Sequence, residues 1–119
     1  MLISDVKKIL RAEFIVGKEK PDREVKAGVA TDLMSDLLRI PHTEVVLLTG
    51  LNNAQVIRTS LIAGVEAVIL VRGKKPNEEV VKQAHEHNIT LLATPFTMFT
   101  ACGRLCNKGL KGVEAKAPA

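Results

Sequence analysis

Asp32 and Asp36 stand four residues apart, the spacing at which two carboxylates share one face of a helix and can bind a metal or divide acid and base roles. Each also has a plainer use. Asp32 follows Thr31 directly after an extended run and has the chemistry of a helix start, and Asp36 reads as a surface charge. Thr49-Gly50-Leu51-Asn52-Asn53 is a second polar turn, in which Gly50 allows close backbone approach and the following helix would offer its positive end to a phosphate. It is not a phosphate loop. Neither GxxxxGK[ST] nor GxGxxG occurs in the chain, so a nucleotide triphosphatase would lack its lysine and its magnesium ligands. Arg72-Gly73-Lys74 supplies positive charge, to an anion or only to solvent. The hydroxyls of Thr94, Thr97 and Thr100 either cap a helix or reach a ligand; Thr94 reads as the cap and Thr97 stays undecided.

The remaining reactive side chains add little. His85 and His87 are two apart on a helical stretch and point in different directions, and His42 has no nearby partner in sequence. Cys102 and Cys106 are spaced i, i+4, with too few companions for a zinc site, and read as small half-buried apolar residues. No catalytic residue, metal or cofactor is assigned.

Positioning these residues requires a repeated strand-and-helix unit. Val45-Val46-Leu47-Leu48 is apolar without alternation, as a strand covered on both faces must be, and Ala67 to Val71 and Ile89 to Ala93 read the same way. Between the first two, Asn53 caps a helix with Ala54, Ile57, Leu61 and Val65 on one side, and Gly64 ends it. Asn77 caps the next helix, with Glu78 and Glu79 in its first turn and Val80, Val81 and Ala84 toward the sheet. Strands joined by helices in this way run parallel, with right-handed crossovers. Upstream, Ser4-Asp5 caps a first helix and Phe14 to Gly17 is a short strand. Val25 to Ala30 is a further strand, followed by a short helix with an apolar stripe of Leu33, Met34, Leu37 and Leu38, stopped by Pro41. Thr94-Pro95 starts a last helix carrying Phe96, Phe99, Leu105 and both cysteines. The expected fold is a three-layer α/β/α domain over residues 1–110 with a mainly parallel sheet of about four to five strands, and a flexible tail over 111–119.

Composition excludes several classes. With 46% hydrophobic and 25% charged residues in 119, the chain is one globular domain, neither disordered nor membrane-spanning. The 17 Lys and Arg against 13 Asp and Glu are spread along the chain, and Tyr and Trp are absent, so neither a clustered basic face nor stacking aromatics point to nucleic acid. Met1 to Lys8 is charged and has no apolar core of signal-peptide length, which places the protein in the cytoplasm.

Val29-Ala30-Thr31-Asp32-Leu33-Met34-Ser35-Asp36-Leu37-Leu38, Gly73-Lys74-Lys75-Pro76-Asn77-Glu78-Glu79 and Leu92-Ala93-Thr94-Pro95-Phe96-Thr97-Met98-Phe99 resemble the DRTGG-domain family over about residues 2 to 110. That family is similar to the amino-terminal domain of HPr kinase/phosphorylase and is also found attached to phosphotransacetylases and CBS-domain pyrophosphatases, as an accessory domain. The resemblance implies an HPr kinase N-terminal-like α/β fold, self-association as a homodimer and a regulatory role beside a partner protein such as a kinase or redox-enzyme system. It rests the ligand site on Asp32, Ser35, Asp36, Thr94 and Thr97. Where Asp-Arg-Thr-Gly-Gly would be sought, this chain has Gly50-Leu51-Asn52-Asn53.

In an open α/β sheet, ligands gather outside the carboxyl ends of the strands. Thr31, Asp32, Ser35, Asp36, Thr49, Gly50, Asn52, Asn53, Arg72, Gly73, Thr94 and Thr97 are therefore the candidate binding residues. The sequence reads as a non-catalytic regulatory or interaction module, a homodimer sensing a small anionic metabolite. The alternatives are a nucleotide sensor, with Gly50 to Asn53 and Arg72 to Lys74 on phosphate and Asp32 on a sugar hydroxyl, and an enzyme using Asp32 and Asp36.

Overall fold

The computed structural model describes residues 1–40 and 43–114; Pro41, the expected helix stop, and His42 lie outside them, as does 115–119 of the expected tail. Six strands form one sheet in the order β1-β5-β4-β3-β2-β6. They are β1 (Glu13–Val16), β2 (Ala27–Ala30), β3 (Val45–Thr49), β4 (Val65–Leu70), β5 (Thr90–Ala93) and β6 (Lys111–Gly112). The helices are α1 (Ile3–Leu10), α2 (Met34–Leu37), α3 (Ala54–Ala63), α4 (Glu78–His87) and α5 (Met98–Asn107).

Strands β2, β3, β4 and β5 pair parallel, as their unbroken apolar runs require. Every residue of β3 is buried. Edge strand β1 is antiparallel, with Glu13 opposite Ala93. The sixth strand comes from the segment expected to be a tail: Lys111 and Gly112 pair parallel with Ala27 and Gly28, so the sheet continues past residue 110.

Successive strand residues point to opposite faces, and each face has its own cover. Val46, Leu48, Ala67, Ile69 and Leu92 pack under α1 and α5 through Ile3, Val6, Leu10, Ala101 and Leu105. Leu47, Val68, Leu70 and Leu91 pack under α2, α3 and α4 through Met34, Leu37, Val56, Ile57, Val80 and Ala84. Fully burying a side chain of this size stabilises by about 1.5–3 kcal/mol, so the two apolar layers dominate the fold. Gly64 closes α3 with φ of 76°, where the chain must turn at once into β4.

Local boundaries differ from the expected ones where distant partners decide them. Helix α1 begins at Ile3, and Asp5 lies inside it with its carboxylate accepting from the Leu2 N–H at 3.0 Å. On α2 only Met34 and Leu37 are buried, because one turn of helix can press only one side on the sheet; Leu33 and Leu38 are exposed. On α3 the inward face is Val56, Ile57, Thr59 and Ser60, whereas Leu61 is exposed and Val65 already belongs to β4. Helix α5 starts at Met98 with Thr97, not Thr94, as its cap. Phe96 lies outside it, and Phe99 on it is 90% exposed.

Candidate functional site

Three consecutive crossovers, through α2, α3 and α4, step one strand at a time from β2 to β5 and lie on the same face. From β5 the chain returns through α5 on the opposite face to reach β6 at the far edge. A single handedness of crossover demands that reversal of face when the direction of travel reverses. Adjacent strands β4 and β5 therefore send their exit loops to opposite faces, which makes their junction the topological switch point where such sheets open a crevice.

At the β2 and β3 ends the polar groups are spent on one another. Asp32 is not a helix cap: its Oδ1 accepts from the Gly50 N–H and the Thr49 hydroxyl, each at 2.8 Å, and so ties the end of β2 to the end of β3. The Gly50 N–H and then the Thr49 hydroxyl hold the carboxyl below its ordinary range against the opposing cost of burial, and the charges of Lys74 and Arg72 add to them. A carboxyl so held stays ionised and is a poor acid. Asp36 instead accepts from the Thr31 hydroxyl at 3.3 Å, and Asp32 precedes α2, so helical spacing does not bring the two carboxylates together.

The next loop is stitched in the same way. Asn52 donates to the Lys75 carbonyl at 2.9 Å and accepts from the Asn77 N–H at 3.0 Å, while Asn77 donates back to the Asn52 carbonyl at 2.7 Å. Asn53 caps α3 through the Val56 N–H and Asn77 caps α4 through the Val80 N–H, as their sequence positions imply. Lys74 donates to the Gly50 carbonyl.

Across the switch point, the Arg72 N–H donates to the Phe96 carbonyl at 2.7 Å and the Gly73 N–H to the Thr94 carbonyl at 2.9 Å. Arg72 itself has φ of 65°, a left-handed conformation uncommon for a side-chain-bearing residue, which these two bonds hold in place. Thr94 is fully buried, and its hydroxyl donates to the Leu10 carbonyl at 2.6 Å, so it docks α1 and cannot also serve a ligand. Arg104 stacks over Phe96 at 4.6 Å and donates to the Ile9 carbonyl.

Thus Asp32, Thr49, Gly50 and Lys74 meet at one point, and Gly73 meets Thr94 at another. Thr31 and Asp36 pair beside the first group, and Ser35 sits exposed on α2. Thr97 serves α5 on the other face. Sequence reasoning missed Arg11, Glu13, Ile15, Lys75, Pro76 and Val81, which with Gly73, Lys74 and Thr94 line a cleft beside the switch point. The only signal for them was the basic pair Lys74-Lys75; Arg11 and Glu13 arrive through the pairing of β1 with β5.

Cys102 is not an activated nucleophile: burial, then the neighbouring Cys106, push its thiol up. Among the described residues no group of three His, Cys, Asp or Glu side chains is placed to hold a metal, and no helix is long and apolar enough to cross a membrane.

Sheet order and crossovers define an α/β domain whose mostly parallel sheet is covered on both faces. The chain belongs to the DRTGG domain family, whose pattern it matches over residues 5–107. Its structure is similar to that of the CBS and DRTGG domains of the regulatory region of Clostridium perfringens pyrophosphatase, determined with its activator diadenosine tetraphosphate. The TM-score is 0.71 at 22% identity, over 87% of this chain and 45% of that one, so the match spans less than half the length of its counterpart. Comparison with curated proteins gives no match.

Proposed function

We propose that this DRTGG domain is a non-catalytic regulatory module, a homodimer that responds to a small anionic metabolite at the rim where β4 and β5 diverge. The observation that carries this reading is which groups the rim leaves unpaired. Carboxylate, amide and hydroxyl side chains there bond to the rim's own backbone. The ion pairs among the described residues, Arg23–Glu66 and Lys26–Glu44, involve none of Arg11, Arg72 and Lys75, whereas Lys74 is spent on the Gly50 carbonyl and its charge, with a lesser contribution from Arg72, faces Asp32. Cations grouped at a crevice without a carboxylate in ion-pair contact attract an anion. Catalysis has no support from Asp32 and Asp36, whose carboxylates serve different partners. Exposed Leu33 and Leu38 on the α2 segment and Leu61 and Ile62 on α3 are apolar surface that a second copy would cover.

Thermal unfolding with phosphate, carboxylate and nucleotide anions tests the reading, since a ligand of the folded state alone raises the melting temperature. At least one anion is expected to raise it, and Arg72→Ala to reduce the rise. No rise with any anion overturns the sensor, and a monomer in sedimentation overturns the dimer.

A further inference from the structure

Beside the switch point, on the face covered by α4, lies a cleft of about 550 Å³, within the range of about 300–1,000 Å³ typical of small-molecule sites. Much of its lining is apolar: Ile15 of β1, Val81 of α4, Ala93 of β5, Pro76 and Pro95 all contribute. Ile15 and Val81 pack on the inner layer yet remain half-buried, so the cleft presents apolar surface to solvent. The lining also includes Arg11 and Lys75, Lys74 whose ammonium is spent on the Gly50 carbonyl, and a single carboxylate, Glu13.

That combination selects a ligand class. A bare phosphate gains nothing from the apolar lining and meets the charge of Glu13, whereas an uncharged ring leaves Arg11 and Lys75 unmatched. A molecule with a flat apolar ring, hydroxyl donors and one anionic end satisfies all three parts. Resting on the anion-sensing reading above, we propose that this cleft is a nucleoside monophosphate site, with the base on Ile15 and Val81, ribose hydroxyls donating to Glu13, and phosphate between Arg11 and Lys75. The site differs from the Asp32–Gly50 corner, whose groups are already paired. It is built only when α1 and β1 dock on β5, so a ligand there bridges the first elements of the chain to the β4–α4 loop.

Amide NMR titration of the whole chain tests this with four probes: adenosine monophosphate, uridine monophosphate, adenosine and inorganic phosphate. The monophosphates are expected to bind at least about tenfold tighter than adenosine or phosphate, a difference of about 1.4 kcal/mol, and to shift the amides of 11–15, 73–75 and 93–94. Lys75→Glu, a change at an exposed side chain, is expected to weaken them about tenfold, and Ile15→Glu to abolish them. Should Ile15→Glu fail to fold, Lys75→Glu with the shift map decides. Equal binding of phosphate and monophosphate, or shifts centred on Asp32 and Gly50, overturns the nucleotide site and leaves the anion sensor standing. No response to any anion overturns both.

Discussion

Replacing Asp32 by Ala separates a structural clamp from a ligand contact. In the native chain one carboxylate oxygen receives the Gly50 N–H and the hydroxyl of Thr49, a residue with 0% exposure. Hydrogen bonds to a charged group contribute about 1.5–3 kcal/mol, and a buried donor left unpaired costs about 1–3 kcal/mol. Asp32 is exposed and Gly50 can turn to water, so the lower end applies and the expected loss is about 2 kcal/mol. For a domain of this size that lowers the melting temperature by about 8 °C. Urea unfolding followed by circular dichroism measures it, and Thr49→Val in the same background should make the two losses less than additive. The pH dependence has a definite sign. Because the folded carboxyl is held below its unfolded value of about 4, the stabilisation is complete above that value and is lost as pH falls through the folded one. The gap between native and Asp32→Ala should therefore be widest near neutrality and close in acid. A loss under about 0.5 kcal/mol, or a gap unchanged between neutral and strongly acidic solution, would refute the clamp. So would an Asp32→Asn chain of native stability that has lost all ligand binding.

Other outcomes follow from single contacts and are read in the same denaturation assay. Gly17→Ala should destabilise by about 3 kcal/mol, because φ is +93° and a Cβ would stand 2.7 Å from the Thr90 hydroxyl oxygen and 3.1 Å from its Cα. Thr94→Val should cost about 2 kcal/mol by leaving the Leu10 carbonyl without its donor. Two changes should stabilise. Ser60→Ala removes a buried hydroxyl that has no partner, worth about 1 kcal/mol. Gly103→Ala, with nothing within 4 Å of the added carbon, gains about 0.8 kcal/mol of helix propensity in α5.

Much of the framework was legible in the chain. An apolar run such as Val45 to Leu48 has one stable environment, a strand covered on both faces, and Asn53 and Asn77 can cap only the helices that begin immediately after them. Gly64 likewise ends α3 by its own conformational freedom. These features depend on neighbours within a few residues, which is why they survive reading in one dimension. The uses of the polar residues did not. Thr94 and Thr97 offer the same hydroxyl three positions apart, yet Thr97 caps α5 through the Thr100 N–H, while the Thr94 oxygen accepts from the Phe96 N–H before the helix and its proton goes to a carbonyl 84 residues away. Asp32 looks like any helix-start aspartate until β3 brings Gly50 beside it.

By itself, then, the sequence determined two apolar layers around a parallel sheet and the loops that leave its carboxyl ends, since periodicity and caps are local properties. Only the tertiary structure decided that β1 runs antiparallel along β5, that Lys111 and Gly112 join the opposite edge, and that the cleft opens at the β4–β5 junction. The reason is that a side chain's partner is set by which distant backbone the sheet delivers to it, and the order of residues alone does not contain that distance.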